Sequence, residues 1–255
     1  MRRLAALLLL ALVGCGGDDA ERGSESASKP TLTVSAAASL KKAFAAYGKA
    51  FEGADARFSF AGSDELAAQI EQGVKPDVFA AANTKLPEQL FAKVLVAKPT
   101  VFSGNRLVLA VPADGAEVSS LEDLEDDGVK LAIGAKAVPV GSYTRTVLDK
   151  LPASRSKAIL ANVRSEEPDV AGIVGKLTQG AVDAGFVYIS DVRGTSGKLE
   201  AIELPDELQP SVAYGVAVVK GAKQPEQAKA FIEGLTSGAG QKALEDAGFE
   251  PPPTG

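Results

Sequence analysis

Two stretches of this chain follow one plan, and that plan narrows the folds open to it. Thr31-Leu-Thr-Val34 is an extended, largely apolar run, and Ser35-Ala-Ala-Ala-Ser39 after it is made of small residues. Leu40, Ala43, Phe44, Tyr47 and Phe51 then recur at spacings of three and four, which places them on one face of a helix reaching to about Glu52. Arg57-Phe-Ser-Phe60, the turn Ala61-Gly-Ser63, and a helix with Leu66, Ala67 and Ile70 on one face before Gly73 repeat the pattern. A strand, a small turn bearing a serine and an amphipathic helix make a βα unit. A succession of such units favours an α/β fold with largely parallel sheets.

Ser39 is expected at the N-cap of its helix, and Ser63 sits at the matching turn, where Gly62 permits close backbone approach. Either serine alone is read as an ordinary cap. At the starts of consecutive helices of one sheet, the pair can direct N–H groups and hydroxyls into the crevice beyond the strands' carboxyl ends. Helix N-termini favour anions there.

The N-terminus bounds where the chain works. Met1-Arg-Arg is basic and Leu4 to Val13 is apolar, too short to span a bilayer and suited to the hydrophobic region of a secretory signal. Residues 1–14 are therefore expected to be a signal peptide. Leu12-Val-Gly-Cys15 resembles the lipobox of bacterial lipoproteins, which implies acylation of Cys15 and a lipid anchor at the membrane. Cys15 is the only cysteine, so no intramolecular disulfide can form. Residues 15–30 are small and polar and read as a flexible tether. Loss of Arg2 and Arg3 takes Lys plus Arg from 27 to 25 against 33 Asp plus Glu, and the net charge from −6 to −8. With no Trp and 5% aromatic residues, the chain is poorly suited to nucleic acid or to stacking on sugars and bases.

Further strands are expected at Pro76–Ala82, Asn105–Pro112, from Lys130, at Ala184–Tyr188 and at Tyr214–Lys220. Helices are expected at about Leu86–Lys93, after Val138-Pro-Val140 through Leu151, from Pro168, near Pro225–Ser237 and at Gly240–Ala247. Two strands, about Leu107–Val111 and Gly215–Val219, bracket a middle block with its own βα units. That arrangement predicts a two-lobed protein with a two-strand hinge, lobe 1 being 31–108 and 216–255 and lobe 2 being 109–215. The acidic run Ser120–Asp127 reads as a short solvated helix, because no second acidic cluster or binding-loop glycine accompanies it.

Eight segments in order, SAAASLKKAF, FAGSDELAAQIEQG, PDVFAAAN, NRLVLAVP, VPVGSYT, PDVAGIV, AGFVYISD and YGVAVV, resemble the molybdate-binding protein family over Leu32 to Phe249. The resemblance implies a type II periplasmic-binding-protein fold and a tetrahedral oxyanion held between the lobes by uncharged donors. Position by position it implies Ser39 and Ser63 from the first lobe. From the second it implies the backbone N–H groups of Val140 and Val170 and the phenol of Tyr188. It further implies molybdate or tungstate as ligand, an ABC-type permease as partner, a monomer outside the cytoplasm and no cofactor. A related protein for sulfate, phosphate or another small anion is the alternative. The chemistry is coherent, since such dianions bring only acceptor oxygens and need donors alone.

Asp64 follows Ser63 where many relatives carry a small polar residue, and it is expected to face outward from the first helical turn. Tyr188 also has a plain reading as a packed aromatic residue. Ser39-Leu-Lys-Lys42 matches the S-x-x-K pattern of penicillin-recognising enzymes, but so do Ser26–Lys29 and Ser154–Lys157, and no K-T-G is present. With no histidine in the chain a Ser-His-Asp triad is impossible, so no enzyme activity is expected. A surface lipoprotein that binds another protein is the third class.

Overall fold

The computed structural model describes residues 29–253, so the expected signal peptide, Cys15 and nearly all of the tether lie outside the described residues. The first part of the chain forms β1 (Thr31–Ala37), a 3₁₀ turn (Ala38–Leu40), α1 (Lys41–Ala50), β2 (Asp55–Ala61), α2 (Ser63–Glu71), β3 (Val78–Ala81), α3 (Lys85–Ala92) and β4 (Thr100–Asn105). The middle forms β5 (Leu107–Pro112), a 3₁₀ turn (Glu122–Glu125), β6 (Leu131–Gly134), α4 (Pro139–Asp149), α5 (Ala153–Ala161), β7 (Val163–Glu167), α6 (Val170–Thr178), β8 (Ala184–Tyr188), α7 (Ile189–Gly194) and β9 (Leu199–Glu203). β10 (Val212–Val218), α8 (Pro225–Thr236) and α9 (Ala239–Asp246) finish it. Among the described residues no helix is long and apolar enough to cross a membrane.

These strands make two sheets, in the orders β2-β1-β3-β10-β4 and β7-β6-β8-β5-β9. Each is the body of one lobe. Largely parallel sheets are found for β2-β1-β3 and β7-β6-β8. The order gives way at the strands beside the crossings, because β10 pairs antiparallel with both β3 and β4, and β5 with both β8 and β9. The chain passes from the first sheet to the second at Arg106 and returns before Val212. Both crossings thus fall slightly N-terminal of the positions expected from the sequence.

β3 and β8 are buried at every residue, as expected of inner strands with neighbours on both sides. In the first lobe α1 and α8 meet through aromatic side chains. The Phe44 ring lies 5.6 Å from that of Phe231, edge-on, and 6.0 Å from Phe58. Asp77 ties β1 to the start of α8: its carboxylate accepts from the Thr33 N–H at 2.8 Å, the Thr33 hydroxyl at 2.7 Å and the Gln224 N–H at 2.8 Å. Burial works to raise this carboxyl's pKa, but the hydrogen bonds from Thr33, Gln224 and Lys223 outweigh it and hold the group below the usual range.

The sequence reading does not anticipate β4, β7, β9, α5 or α7. All three strands are sheet edges, and β7 (Val-Arg-Ser-Glu-Glu) and β9 (Leu-Glu-Ala-Ile-Glu) are short and charged, as edges that resist further pairing tend to be. α5 buries only Ile159, so its apolar period is faint. The acidic run folds as a 3₁₀ turn rather than an α-helix.

Candidate functional site

Between the lobes lies a small cavity, and Ser39, Ser63, Val140, Val170 and Tyr188 all line it. Its volume of about 20 Å³ is far below the roughly 300–1,000 Å³ typical of pockets for drug-sized ligands, so only a small ion suits it. Ser63 is the first residue of α2, with Gly62 at the N-cap. Its Oγ accepts the Ala82 N–H at 3.0 Å, so its own hydrogen is available to another acceptor.

Ser39 departs from expectation. It sits inside the 3₁₀ turn, Leu40 holds the N-cap position of α1, and no side chain caps that helix. The tighter turn takes the place of a serine cap. The hydroxyl instead meets the Tyr214 phenol at 3.0 Å.

In the second lobe two helices aim their first turns at the cavity. Pro139 opens α4 and has no N–H, so Val140 carries that helix's first backbone donor. A Cβ on Gly141 would overlap the carbonyl oxygens of Gly134 and Ala135, so glycine lets this turn rest on the end of β6. Val170 is the first residue of α6, and the Asp169 carboxylate caps that helix by accepting the Gly172 N–H at 3.0 Å. Asp169 itself lines the cavity, which the sequence reading missed. Its signal was the N-cap aspartate just before the periodic run Val170, Ile173 and Leu177.

Tyr188 closes the wall at the end of β8, is 1% exposed, and its phenol has no hydrogen-bond partner among the described residues. The rings of Tyr143 and Tyr214 stand edge-on to it, 6.5 and 5.9 Å away. Burial, aided by Tyr214, Tyr143 and Asp191, pushes its pKa well above the usual value, so it stays a donor. Buried, unpaired hydroxyls are uncommon and call for an explanation. Asp191 lies behind it and accepts the Tyr188 backbone N–H at 3.1 Å. Burial pushes the Asp191 carboxyl up to about 7, the Tyr188 N–H opposing and Asp169 adding to the rise.

Asp64 does not face outward as expected. Its Oδ1 is buried without a partner among the described residues and would lie 2.9 Å from a Cβ placed on Gly62. The same Cβ would lie 2.5 Å from the Pro168 carbonyl oxygen and 3.3 Å from Val138 Cγ1, both of the second lobe. The two lobes are therefore in contact at Gly62, and Asp64 is turned toward that seam. A helix surface that is outward in one lobe becomes interior once the lobes meet.

A model of the family described as bacterial extracellular solute-binding protein matches residues 32–250. The chain belongs to that family. This solute-binding protein is 34% identical over 260 residues, 98% of the chain and 96% of the relative, to the molybdate-binding protein ModA of Mycobacterium bovis. It is 32% identical to the putative ABC transporter substrate-binding lipoprotein YvgL of Bacillus subtilis, over 96% of this chain and 95% of that one. Among solved structures, the substrate binding domain of a putative molybdenum ABC transporter from Clostridium difficile is similar, with 32% identity and a TM-score of 0.66, covering 87% of this chain and 98% of that one. The two-lobed type II periplasmic-binding-protein fold expected from the sequence is the fold of this solute-binding protein.

Proposed function

We propose that this solute-binding protein captures molybdate or tungstate between its lobes and delivers it to an ABC importer. The observation that carries the reading is the buried phenol of Tyr188 without a partner, in a small cavity faced by the hydroxyls of Ser39 and Ser63 and by the starts of α2, α4 and α6. Such a wall supplies donors to a tetrahedral dianion without a bare cation, through oriented N–H groups and charge-assisted hydrogen bonds. The molybdate and molybdenum named for the M. bovis and C. difficile relatives support the choice of anion.

Each lobe brings part of the donor set, so only the closed form surrounds the anion, and binding shifts the protein toward closure. The ligand is the cargo, and the site needs no resident cofactor. The reading is one of binding without catalysis: Lys42 is exposed on α1 while Ser39 is buried, so the S-x-x-K spacing does not bring a base to the serine. We further propose that the protein works outside the cytoplasm as a monomer held by lipid on Cys15, a reading supported by the lipobox-like Leu12–Cys15 and by the lipoprotein named in B. subtilis. Cys15→Ser is expected to release it from the membrane fraction, and continued sedimentation with membranes would refute the anchor.

A thermal-shift series with molybdate, tungstate, sulfate and phosphate at equal ionic strength tests the ligand. At about 100 times its dissociation constant a ligand adds roughly 2.7 kcal/mol, enough to move Tm by several degrees in a domain of this size. Shifts with molybdate and tungstate alone support the reading. No shift with either removes it.

A further inference from the structure

We propose that the base of the first lobe, the end of its sheet opposite the cavity, is a docking surface for a bilayer rich in anionic phospholipid. The proposal rests on the lipid-anchor reading above, which brings a bilayer within reach. β1 and β3 run from this base toward the cavity, since Ala37 and Ala82 at their far ends line it, and α2 runs back from Ser63 at the cavity to Glu71 at the base. Three loops form the base, 72–77, 93–98 and 219–224, and contacts join them in a ring. Lys93 pairs with Glu71 at 2.7 Å, the Lys220 N–H donates to the Leu95 carbonyl oxygen at 2.8 Å, and a Cβ on Gly221 would lie 3.4 Å from Lys75 Cδ.

On or beside these loops stand three of the five large apolar side chains that the described residues expose: Val74 at 51%, Phe91 at 46% and Val94 at 71%. Val94 is there against its backbone preference. The residue after the C-cap of α2, α6 and α9 is Gly73, Gly180 and Gly248, each at positive φ, as this kind of helix end favours. α3 ends in the same way, the Val94 N–H donating to the Phe91 carbonyl oxygen at 2.8 Å and the Leu95 N–H to that of Leu90 at 2.9 Å, but its left-handed residue is Val94, with φ 59°. A β-branched residue holds that conformation at a cost that glycine avoids. Its side chain is mostly in solvent, so packing within the fold does not offset the cost.

Lys75, Lys93, Lys98, Lys220 and Lys223 are exposed on the same loops, whose one carboxylate, Asp77, is buried and engaged by Thr33 and Gln224. A basic face on a chain of net charge −6 is complementary to anionic headgroups, and exposed apolar side chains among lysines suit the boundary between headgroups and acyl chains. A second copy seated on this face by symmetry would oppose lysines to lysines. The chain also enters the fold here: the Pro30 carbonyl oxygen accepts the Asp55 N–H at 2.8 Å, and Thr33 is bonded to Asp77. A lipid on Cys15 therefore brings this end of the protein to the bilayer and raises the local concentration of headgroups around it.

The test is flotation at low ionic strength with vesicles of phosphatidylcholine, alone or mixed with phosphatidylglycerol. It uses the chain from Gly16, which keeps every described strand and helix and has no Cys15 to acylate. Binding to the mixed vesicles is expected, and added salt is expected to weaken it. Lys75→Gln and Lys220→Gln are each expected to weaken it about fivefold, and Val94→Gly about threefold or more. Val94→Gly is also expected to leave Tm unchanged or raise it, and to leave the thermal shift with molybdate as it is in the parent chain. A lower Tm in that variant gives Val94 a packing role and overturns the proposal. So does a failure to bind the mixed vesicles, equal binding to phosphatidylcholine alone, or binding that the three variants leave unchanged. A dimer that Val94→Gly abolishes, with no binding to either vesicle, assigns the face to a second copy instead. Failure of the lipid anchor is seen separately, in the fractionation of Cys15→Ser, and does not alter the vesicle result.

Discussion

The backbone N–H of Ala82 donates to Ser63 Oγ at 3.0 Å, and this contact ties the ligand wall to the end of β3. Ser63→Ala removes a donor to the anion and also leaves a buried N–H unpaired. Affinity is expected to fall by about 1.5–3 kcal/mol and stability by about 1–3 kcal/mol. Ser39→Ala is expected to cost a similar affinity. Calorimetry and urea melts read the two effects separately, and undiminished affinity in both variants removes the serines from the site.

Tyr188→Phe is expected to act with opposite signs on the two quantities. The phenol has no partner among the described residues, so its loss is expected to leave stability unchanged or raise it by up to about 1 kcal/mol. In the complex the same loss is expected to weaken binding by about 1.5–3 kcal/mol and to speed anion release. An unchanged dissociation rate returns Tyr188 to a packing role.

Gly62→Ala is expected to hold the lobes apart, since the added methyl would meet the Pro168 carbonyl oxygen at 2.5 Å across the seam. That atom is backbone and cannot rotate aside. Molybdate affinity is expected to fall about tenfold or more through loss of the closed form, with a larger radius of gyration by X-ray scattering in saturating anion. Equal radii for variant and wild type count against the seam as the limit on closure.

Asp191 gives the protein a pH dependence of defined sign. Its folded pKa is raised from 3.8 to about 7, so the native state keeps a proton that the unfolded chain has already released. Stability from this group is full below 3.8 and is lost as pH climbs through about 7. Asp191→Asn is expected to flatten that part of the profile, and urea midpoints at about pH 5 and about pH 8 check it. An identical slope in the variant assigns the dependence elsewhere.

What was legible in the sequence is what is local. Ser39, Ser63, Val140, Val170 and Tyr188 stand at starts of helical turns or at a strand end, where small residues, a proline and apolar periods mark the boundary within a few positions. Their joint arrival at one cavity came from the family resemblance, since no spacing states it. The partners that orient them were not legible. Tyr214 is 175 positions from Ser39, and nothing near either residue announces the pairing. The direction of Asp64 was misread for the same reason, because its surroundings belong to the other lobe. β7 is short, charged and without an apolar period, and its pairing with β6 is what makes it a strand.

The order of the first sheet, β2-β1-β3-β10-β4, also governs when that sheet can be completed. β4 has β10 as its sheet neighbour, and the whole second lobe lies between them in the chain. The second lobe is contiguous in sequence, while the first sheet needs β10, which follows that lobe. A nascent chain is therefore left with an unfinished first sheet until residues Val212–Val218 have been made. Pairing of strands so far apart in the chain is intrinsically slow, because the entropy of closing the intervening loop is lost before the contact forms.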